Sequence, residues 1–495
     1  MKLVLFWLLL IALDSIESKR IKTKVVILGA GATGISAAKS LSEANMSDFI
    51  IVDAQSFIGG RVQHQAFGNS QVELGANWIY GKGDNPIYGM ATQHGLKTTP
   101  SDKNNVAYFD DFGMLEDQEK GIHTSDEFES VKVKLVDYAE KRMKRQQVDL
   151  SSRSALSLLG WKPNTPLKAA VEYFNIDWEF SEPAEMCSLD YATGTVDSVT
   201  GTYPFGNEFV VDERGFNHIL VQELKTFLHL NDDRLMLNTL ITEVIYNDQN
   251  VTVITSNGHV IEAEYAICTF SLGVLQSDSV QFSPVFPEWK RESLLSFHMT
   301  TYTKIFLLFK QKFWGDWQHG GYYTVWQNLN APGYLFKPAS SGDNILMVTT
   351  TDTESQRIER MTKAQVGNEI MRVLHKMFPS ATIEPPVDIL IPRWHQHNLF
   401  RGSYSNWPIG ASKKHHLNMR APLGNLWFAG EATSADYYGF LHGGWLEGKS
   451  VANSILGCIT TKCPVYEKHE IVTGCDSANF NSGNSNPRFL GQFSY

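Results

Sequence analysis

The stretch VVILGAGATGISAAKSLSEANMSDFIIVD, residues 25–53, decides how the N-terminal part of this chain folds. Its first four residues are all apolar, which is typical of a strand that is buried on both faces. A helix is predicted over residues 34–44 and a second apolar strand over residues 49–52. The order of strand, helix and strand predicts a parallel βαβ unit.

Three glycines, Gly29, Gly31 and Gly34, join the first strand to the helix. The first allows a tight turn, the second lets the backbone approach a pyrophosphate, and the third lets the helix pack closely on the strand. The N-terminus of the helix offers free N–H groups and a partial positive charge to the phosphates. Asp53, at the end of the second strand, can accept hydrogen bonds from ribose hydroxyls. The unit is therefore predicted to bind a dinucleotide.

Two later motifs favour FAD over NAD as that dinucleotide. Gly59-Gly60-Arg61 follows Asp53 closely, and Gly430-Glu431 follows a short apolar strand near the C-terminus. In the flavin-containing amine oxidases, an acidic strand end, a turn of this kind and a late Gly-Glu pair enclose an elongated FAD. The chain resembles that family over about residues 25–459, and within it the secreted polyamine oxidases of plants. Further shared stretches are residues 72–78, 271–278, 302–307 and 405–408.

The resemblance implies a fold that combines α/β and α+β parts: a discontinuous Rossmann-like FAD-binding domain and a substrate domain with a mixed sheet flanked by helices. After a signal peptide at residues 1–18, the FAD-binding domain is expected to comprise residues 20–98, 205–292 and 397–460. The substrate domain is expected to comprise residues 99–204 and 293–396. Residues 461–495 are expected to be a disordered tail, because they are rich in Asn, Ser and Gly.

The same resemblance implies an FAD-dependent oxidase of polyamines, with spermine, spermidine or their N-acetyl derivatives as substrates. The α-carbon of the amine would pass a hydride to flavin N5, and O2 would be reduced to H2O2. Water would then hydrolyse the imine to an aminoaldehyde and an amine.

The residues that the resemblance assigns to FAD come from every part of the chain. They are Gly29, Gly31, Gly34, Asp53, Gly60, Arg61, Asn77, Trp78, Leu240, Trp394, Gly430 and Glu431. Ser403 occupies the position at which monoamine oxidases carry a cysteine that attaches the flavin covalently. A serine hydroxyl is a much weaker nucleophile than a thiolate, so FAD is expected to be bound non-covalently.

Lys304 lies in an apolar run, and the two-residue period of a strand places Tyr302, Lys304 and Phe306 on one face. A lysine that faces a core is costly unless it has a partner. A lysine that protects the edge of a sheet is the alternative interpretation. The resemblance implies that Lys304 holds a water against flavin N5 and assists reoxidation by O2. Tyr302, on the same face, is included among the expected catalytic residues.

Tyr404 and Phe440 match two positions whose aromatic rings flank the substrate amine in the family. Two rings can align the α-carbon of the amine with the flavin and attract a cation through their faces. The plant enzymes have phenylalanine first and tyrosine second, so the order in this chain is reversed. Packing in a core is the alternative interpretation of each ring.

Glu179 matches a carboxylate that the plant enzymes point into a substrate tunnel, where it would attract a cationic polyamine. An exposed surface glutamate is the alternative. Tyr80 stands where those enzymes have a second glutamate, so one tunnel charge is missing. A tyrosine can accept a hydrogen bond or offer its ring to an ammonium group, but it carries no charge. Its presence favours an acetylated or less highly charged polyamine.

The bulk properties of the chain limit its partners and its location. The formal net charge of −10 argues against non-specific binding of nucleic acid. A basic start and the apolar run of residues 3–13 predict a signal peptide, because the run is shorter than the ~20 residues of a membrane span. Secretion is therefore expected, with the vacuole as an alternative destination. Sequons at Asn45 and Asn250 fit this route.

The cysteines predict a disulfide near the C-terminus. Cys458, Cys463 and Cys475 can form one bridge, and the sequence leaves its pairing open. Their spacing is not that of a metal site, so no metal is expected. The sequence does not determine the oligomeric state.

Three other functions are alternatives to polyamine oxidation. An L-amino-acid oxidase would need an arginine in the substrate domain to bind the carboxylate of its substrate. A non-catalytic secreted flavoprotein would not need Lys304, Tyr404 and Phe440. An NAD-dependent dehydrogenase is disfavoured by the two later glycine-containing motifs.

Overall fold

The computed structural model describes residues 18–101, 106–193, 203, 206–314, 323–326, 335–338, 344–461, 463, 466, 468 and 469. The predicted signal peptide and C-terminal tail lie almost entirely outside the described residues. In the described ranges, no helix combines the length and the apolar character that a transmembrane span requires.

The first large sheet is mixed and is assembled from three separate parts of the chain. The order of its described strands is Leu235–Met236, Phe49–Val52, Arg20–Leu28, Val260–Cys268, Val251–Thr255, Ile241–Tyr246 and Gln281–Ser283, with Leu426–Phe428 also pairing with Val260–Cys268. Arg20–Leu28 runs parallel to both of its neighbours. Its residues 25–28 are fully buried, as the continuous apolar run predicts.

The βαβ unit is present in this sheet, with its strands Arg20–Leu28 and Phe49–Val52 next to each other. Its helix, Ala32–Glu43, begins two residues before the predicted start at Gly34. Gly29 has a φ of +119°, which a residue with a side chain rarely adopts. A Cβ on Gly34 would lie 1.9 Å from the carbonyl oxygen of Gly29. The helix therefore packs on the strand at a distance that only glycine permits. The long helix Leu441–Thr460 packs against its outer side.

The second large sheet is also mixed. The order of its described strands is Asp388–Leu390, Tyr302–Leu308, Ile345–Thr351, Leu335–Pro338, Tyr323–Trp326, Val106–Asp110 and Gly113–Met114. Ile305 and Leu307 share one apolar core with residues of helix Lys363–Met377. Tyr302 and Lys304, on the opposite face of the same strand, line the cavity described below.

A layer of helices lies beside the second sheet, as the predicted substrate domain with helices flanking a mixed sheet requires. It comprises Gln118–Lys144, Ser152–Leu158, Pro166–Asn175 and Asp177–Phe180, followed by a π-helical turn at Leu189–Thr193. Phe128, Trp161 and Trp178 lie in the core that these helices share. The other helices of the described residues are Pro86–Gln93, His218–Lys225, Leu272–Leu275, Glu288–Leu295, Asp352–Glu359 and Lys413–Arg420, with a 3-10 turn at Glu431–Thr433.

Three small sheets complete the described structure. Their pairings are His298–Met299 with Ser405–Asn406, His64–Phe67 with Ser70–Glu73, and Asn207–Val210 with both Trp78–Ile79 and Thr98–Ser101. The first of these joins the two predicted domains, because its strands come from residues assigned to different ones. Mixed sheets flanked by helices confirm the predicted fold class, whereas the predicted domain limits stay a prediction.

One disulfide, Cys458–Cys463, is present at the end of the last helix. Cys475, the third candidate, lies outside the described residues. Cys268 is a buried free cysteine at the end of strand Val260–Cys268.

We expect Gly34→Ala to destabilise the fold, because its new Cβ would collide with backbone and could not be relieved by a rotamer change. An overlap of this kind costs about 1–3 kcal/mol, measured as the free energy of urea unfolding. Gly89→Ala is the matched control: Gly89 also lies in a helix, Pro86–Gln93, and a Cβ there would meet nothing within 4 Å. Equal stability of the two variants would contradict this account.

Candidate active site

A cavity of about 790 Å³ lies between the two large sheets. It is lined by every residue that the sequence assigns to the cofactor or the substrate except Gly34, which is covered by the helix packing described above. These residues come from parts of the chain more than 400 positions apart, and the fold brings them to one place.

The glycine turns form one end of this cavity. Gly59 and Gly60 have φ values of +115° and +61°, and the amide of Gly59 donates to the carbonyl of Ala30 at 2.8 Å. The nearest atom to a Cβ on Gly31, outside its chain neighbours, would be the Cα of Gly60 at 3.9 Å. The space before Gly31 is thus open for a ligand that approaches the backbone. This arrangement fits a pyrophosphate at the start of the helix.

Asp53 directly follows strand Phe49–Val52 and lines the same end of the cavity. Its two carboxylate oxygens accept hydrogen bonds from the amides of Ala30, at 2.7 Å, and Gln55, at 2.8 Å. Burial raises the pKa of Asp53, and the two amide bonds oppose that rise. The side chain is held in one orientation, and each oxygen keeps a lone pair for a ribose hydroxyl.

An ion pair between Arg61 and Glu431 joins three separate loops beside the cavity. Nη1 of Arg61 donates to Oε1 of Glu431 at 2.9 Å and to the carbonyl of Ser403 at 2.8 Å. The other carboxylate oxygen of Glu431 accepts from Oγ of Ser405 at 2.6 Å and from the amide of Gly439 at 2.7 Å. Arg61 and Glu431 therefore hold the loops that carry Tyr404 and Phe440.

Lys304 is 2% exposed and has protein partners, so it is not a lysine that protects a sheet edge. Its Nζ donates to the carbonyls of Gly75 at 2.6 Å and Glu73 at 3.0 Å, and to Oδ1 of Asn77 at 3.2 Å. Burial lowers the pKa of Lys304 to about 7, and the nearby Glu73 carboxylate opposes that shift. These acceptors take all three N–H groups of an ammonium. A water could bind only by replacing the longest bond, to Asn77, or through the lone pair of the neutral amine.

Aromatic rings line the end of the cavity away from the glycine turns. The ring of Tyr80 meets that of Phe440 edge-on at 4.8 Å, and Tyr302 lies 6.2 Å from Tyr404. Phe440 also stacks on the buried His442 at 5.1 Å. Tyr404 and Phe440 are both partly accessible from the cavity, so neither is simply a core residue.

Glu179 is half-buried at the end of helix Asp177–Phe180 and lines the cavity, so it is not an exposed surface residue. Its main-chain carbonyl accepts a hydrogen bond from the hydroxyl of Tyr404 at 3.1 Å. The Tyr404 hydroxyl therefore binds the backbone beside the carboxylate that the resemblance assigns to the substrate.

Trp178 and Lys132 are among the lining residues that were not expected from the sequence. Trp178 meets Trp78 edge-on at 5.4 Å. Lys132, on helix Gln118–Lys144, is 16% exposed and pairs with Glu129 at 2.9 Å. Neither has a distinguishing signal in the sequence, because an apolar ring in a helix predicts a core and a lysine in a charged helix predicts a solvated face. Among the described residues, no cluster of His, Cys, Asp and Glu could hold a metal ion.

Comparison with known proteins finds a family that is similar over most of the chain. Residues 32–456 match the profile of the family described as "Flavin containing amine oxidoreductase". The chain is 36% identical to polyamine oxidase 1 of Zea mays over 476 residues, which cover 90% of this chain and 92% of the maize protein. It is 37% identical to polyamine oxidase 7 of Oryza sativa subsp. japonica over 459 residues, which cover 86% of this chain and 93% of the rice protein.

The fold is similar to that of solved structures of putrescine oxidase. The wild-type protein bound to putrescine superposes with a TM-score of 0.71 over 89% of this chain and 100% of the other, at 17% identity. This likeness confirms the fold, whereas the identities above carry the family relation.

We expect Glu431→Gln to lower the free energy of unfolding by about 2–3 kcal/mol, because it removes the charge that compensates Arg61 at a largely buried position. Urea unfolding would measure the change. Glu262→Gln is the control, since Glu262 pairs with Arg20 and Lys22 at the surface and its loss should cost at most about 1 kcal/mol. A smaller effect at Glu431 than at Glu262 would refute the role given to the buried pair.

Proposed function

This chain belongs to the family of flavin-containing amine oxidoreductases, and from that premise we propose that it is an FAD-dependent oxidase of polyamines. One cavity supports this proposal, because its lining combines the glycine turns, the buried Lys304 and the aromatic rings. The two relatives reported above, both named polyamine oxidases, support the substrate class. The products would be H2O2, an aminoaldehyde and an amine.

When bound, FAD supplies the acceptor for a hydride from the α-carbon of the amine. Tyr404 and Phe440 would enclose that amine and align its α-carbon, since aromatic rings can hold an alkyl amine without a charged partner. Glu179 would attract the remaining cationic amines of the chain. The apolar lining excludes water and strengthens these interactions.

We propose that FAD is held without a covalent bond. The hydroxyl of Ser403 accepts from the amide of Tyr302 at 2.9 Å and donates to its carbonyl at 3.0 Å. Both of these bonds are to backbone atoms, so the hydroxyl proton is held by a carbonyl and not by a side-chain base that could generate an alkoxide.

Tyr80 and Lys132 favour a substrate that carries fewer positive charges than free spermine. Tyr80 supplies a ring in place of a carboxylate, and Lys132 adds a cation to the lining. The charges of Lys132 and Glu129 cancel in their ion pair, so this pair supplies little negative charge to attract a second ammonium group. An N-acetylated end, which is neutral and offers a carbonyl oxygen, suits such a site better.

Lining arginines give little support to an L-amino-acid oxidase. In the described part of the cavity, the arginines are Arg61, which pairs with Glu431, and Arg401, which is exposed. Neither offers a buried and unpaired guanidinium to a substrate carboxylate.

Anaerobic reduction of the purified flavoprotein tests the proposal. Spermine, spermidine, N-acetylspermine and several L-amino acids would be added separately while the visible absorption of the oxidised flavin is followed. We expect polyamines to bleach the flavin, with N-acetylspermine at least as fast as spermine, and amino acids to leave it unchanged. Bleaching by none of them would refute an oxidase, and bleaching by amino acids alone would refute the substrate class.

Lys304→Met should still be bleached by the substrate but reoxidise about 100-fold more slowly in air, because it loses the proton donor next to the cofactor. The wild-type rate should fall as the pH rises through about 7, the lowered pKa of Lys304, since the ammonium form stabilises negative charge on oxygen. Stopped-flow mixing with O2 would measure both effects.

Lys290→Met provides a matched control for this variant. Lys290 is also fully buried, and its Nζ donates to the carbonyls of Asn418, Met419 and Ala421, yet it does not line the cavity. Its loss should lower stability without changing the reoxidation rate. Unchanged reoxidation in Lys304→Met, or an equal slowing in Lys290→Met, would refute the role of Lys304.

We further propose that the chain is secreted and glycosylated. Asn45 and Asn250 are both exposed, as sites of N-glycosylation must be. Expression in a eukaryotic host should deliver to the medium a protein that begins after residue 18 and loses mass on treatment with a glycosidase. Retention in the cells with residues 1–18 intact would contradict this proposal.

A further inference from the structure

The hydroxyl of Tyr404 is held by two hydrogen bonds to a turn whose backbone is tightly constrained. It accepts a hydrogen bond from Oγ of Ser181 at 2.7 Å and donates one to the carbonyl of Glu179 at 3.1 Å. Ser181 is fully buried, so no solvent competes for this bond. Because the hydroxyl lies at the far end of the ring from Cβ, a bond there limits how far the ring can move.

The backbone of Ser181 is held in a conformation that is unfavourable for its residue type. It ends helix Asp177–Phe180 with φ 57° and ψ 19°, in the left-handed region that favours glycine. A serine in this conformation costs on the order of 1 kcal/mol more than a glycine. In this conformation the hydroxyl of Ser181 points at Tyr404, which lies 223 positions later in the sequence.

The next residue, Glu182, fixes this turn to the strands beside Tyr404. Its carboxylate lies 2.6 Å from Nδ1 of His298 and accepts from Nδ2 of Asn406 at 2.7 Å. His298 and Asn406 face each other in the small sheet that pairs His298–Met299 with Ser405–Asn406. Residues 181 and 182 thus bind both the tip of the Tyr404 ring and the strand that follows Tyr404.

We propose that Ser181 is a positioning residue that sets the place of the Tyr404 ring in the aromatic end of the cavity. This inference rests on the proposed amine oxidation, in which Tyr404 lies against the substrate. Ser181 itself does not line the cavity; it acts through the hydroxyl that distinguishes Tyr404 from the phenylalanine expected there. A displaced ring would align the α-carbon less well and slow its oxidation.

A double-mutant cycle tests this role with Ser181→Gly, Tyr404→Phe and the double variant. Glycine removes the hydroxyl and favours the left-handed backbone, so the turn is retained. The measured quantities are the limiting rate of anaerobic bleaching by the polyamine that reduces the wild type fastest, the apparent Kd of that amine and the urea midpoint. Ser181→Gly should lower the limiting rate roughly tenfold and change the apparent Kd less than threefold.

In the Tyr404→Phe background, Ser181→Gly should have less than a twofold further effect on the rate. The decrease in urea midpoint of the double variant should be smaller than the sum of the decreases of the two single variants, because removing both partners leaves no buried hydroxyl unpaired. An undiminished loss of rate in the Tyr404→Phe background would overturn the proposal, since Ser181 would then act by another route. Additive midpoints, or an unchanged rate in Ser181→Gly alone, would overturn it as well.

Ser355→Ala is the matched control. Ser355 is also fully buried, and its hydroxyl bonds to that of Thr350 at 2.9 Å, away from the cavity lining. This variant should lower the urea midpoint and leave the limiting rate unchanged; a tenfold loss of rate would show that any buried serine has the effect and would overturn the proposal. If no amine bleaches the wild type, the proposed function fails, while the urea cycle still tests the bond between Ser181 and Tyr404.

Discussion

The ion pair between Arg61 and Glu431 is the interaction on which the assembly of the site depends. One carboxylate connects the second glycine turn, strand Ser405–Asn406 and the loop that leads to Phe440. A charge buried without such partners would cost several kcal/mol, so each loop is restrained by the others. The pair explains why residues so far apart in the sequence form one continuous cavity wall.

Lys304 is a second buried charge, and its partners compensate less completely for the cost of burial. Three oxygen acceptors surround its amine, yet burial still lowers its pKa to about 7. Lys304 is therefore a proton donor whose pKa is close to neutral pH. It lies in an apolar enclosure, where a small change of charge has a large electrostatic effect. Burial also lowers the pKa of Lys290, which does not line the cavity, so the place of Lys304 in the cavity lining distinguishes it from a structural lysine.

Much of this site could be predicted because glycine motifs record backbone requirements directly in the sequence. Position 34, for example, must be glycine, because a Cβ there would lie 1.9 Å from the carbonyl oxygen of Gly29. The acceptors of Lys304 could not be predicted, since two of them are main-chain carbonyls that any residue would supply. The bond from Ser181 to Tyr404 and the position of Lys132 depend on how distant helices dock. Such contacts follow from packing, which no local pattern of the sequence describes.

We propose that this cavity holds one FAD without a covalent bond. Mass spectrometry of the purified protein, under native and then denaturing conditions, tests it directly. We expect a native mass that exceeds the mass of the polypeptide, with any glycans, by one FAD, and the loss of that whole difference on denaturation. A native mass without FAD, or an FAD adduct that survives denaturation, would contradict it.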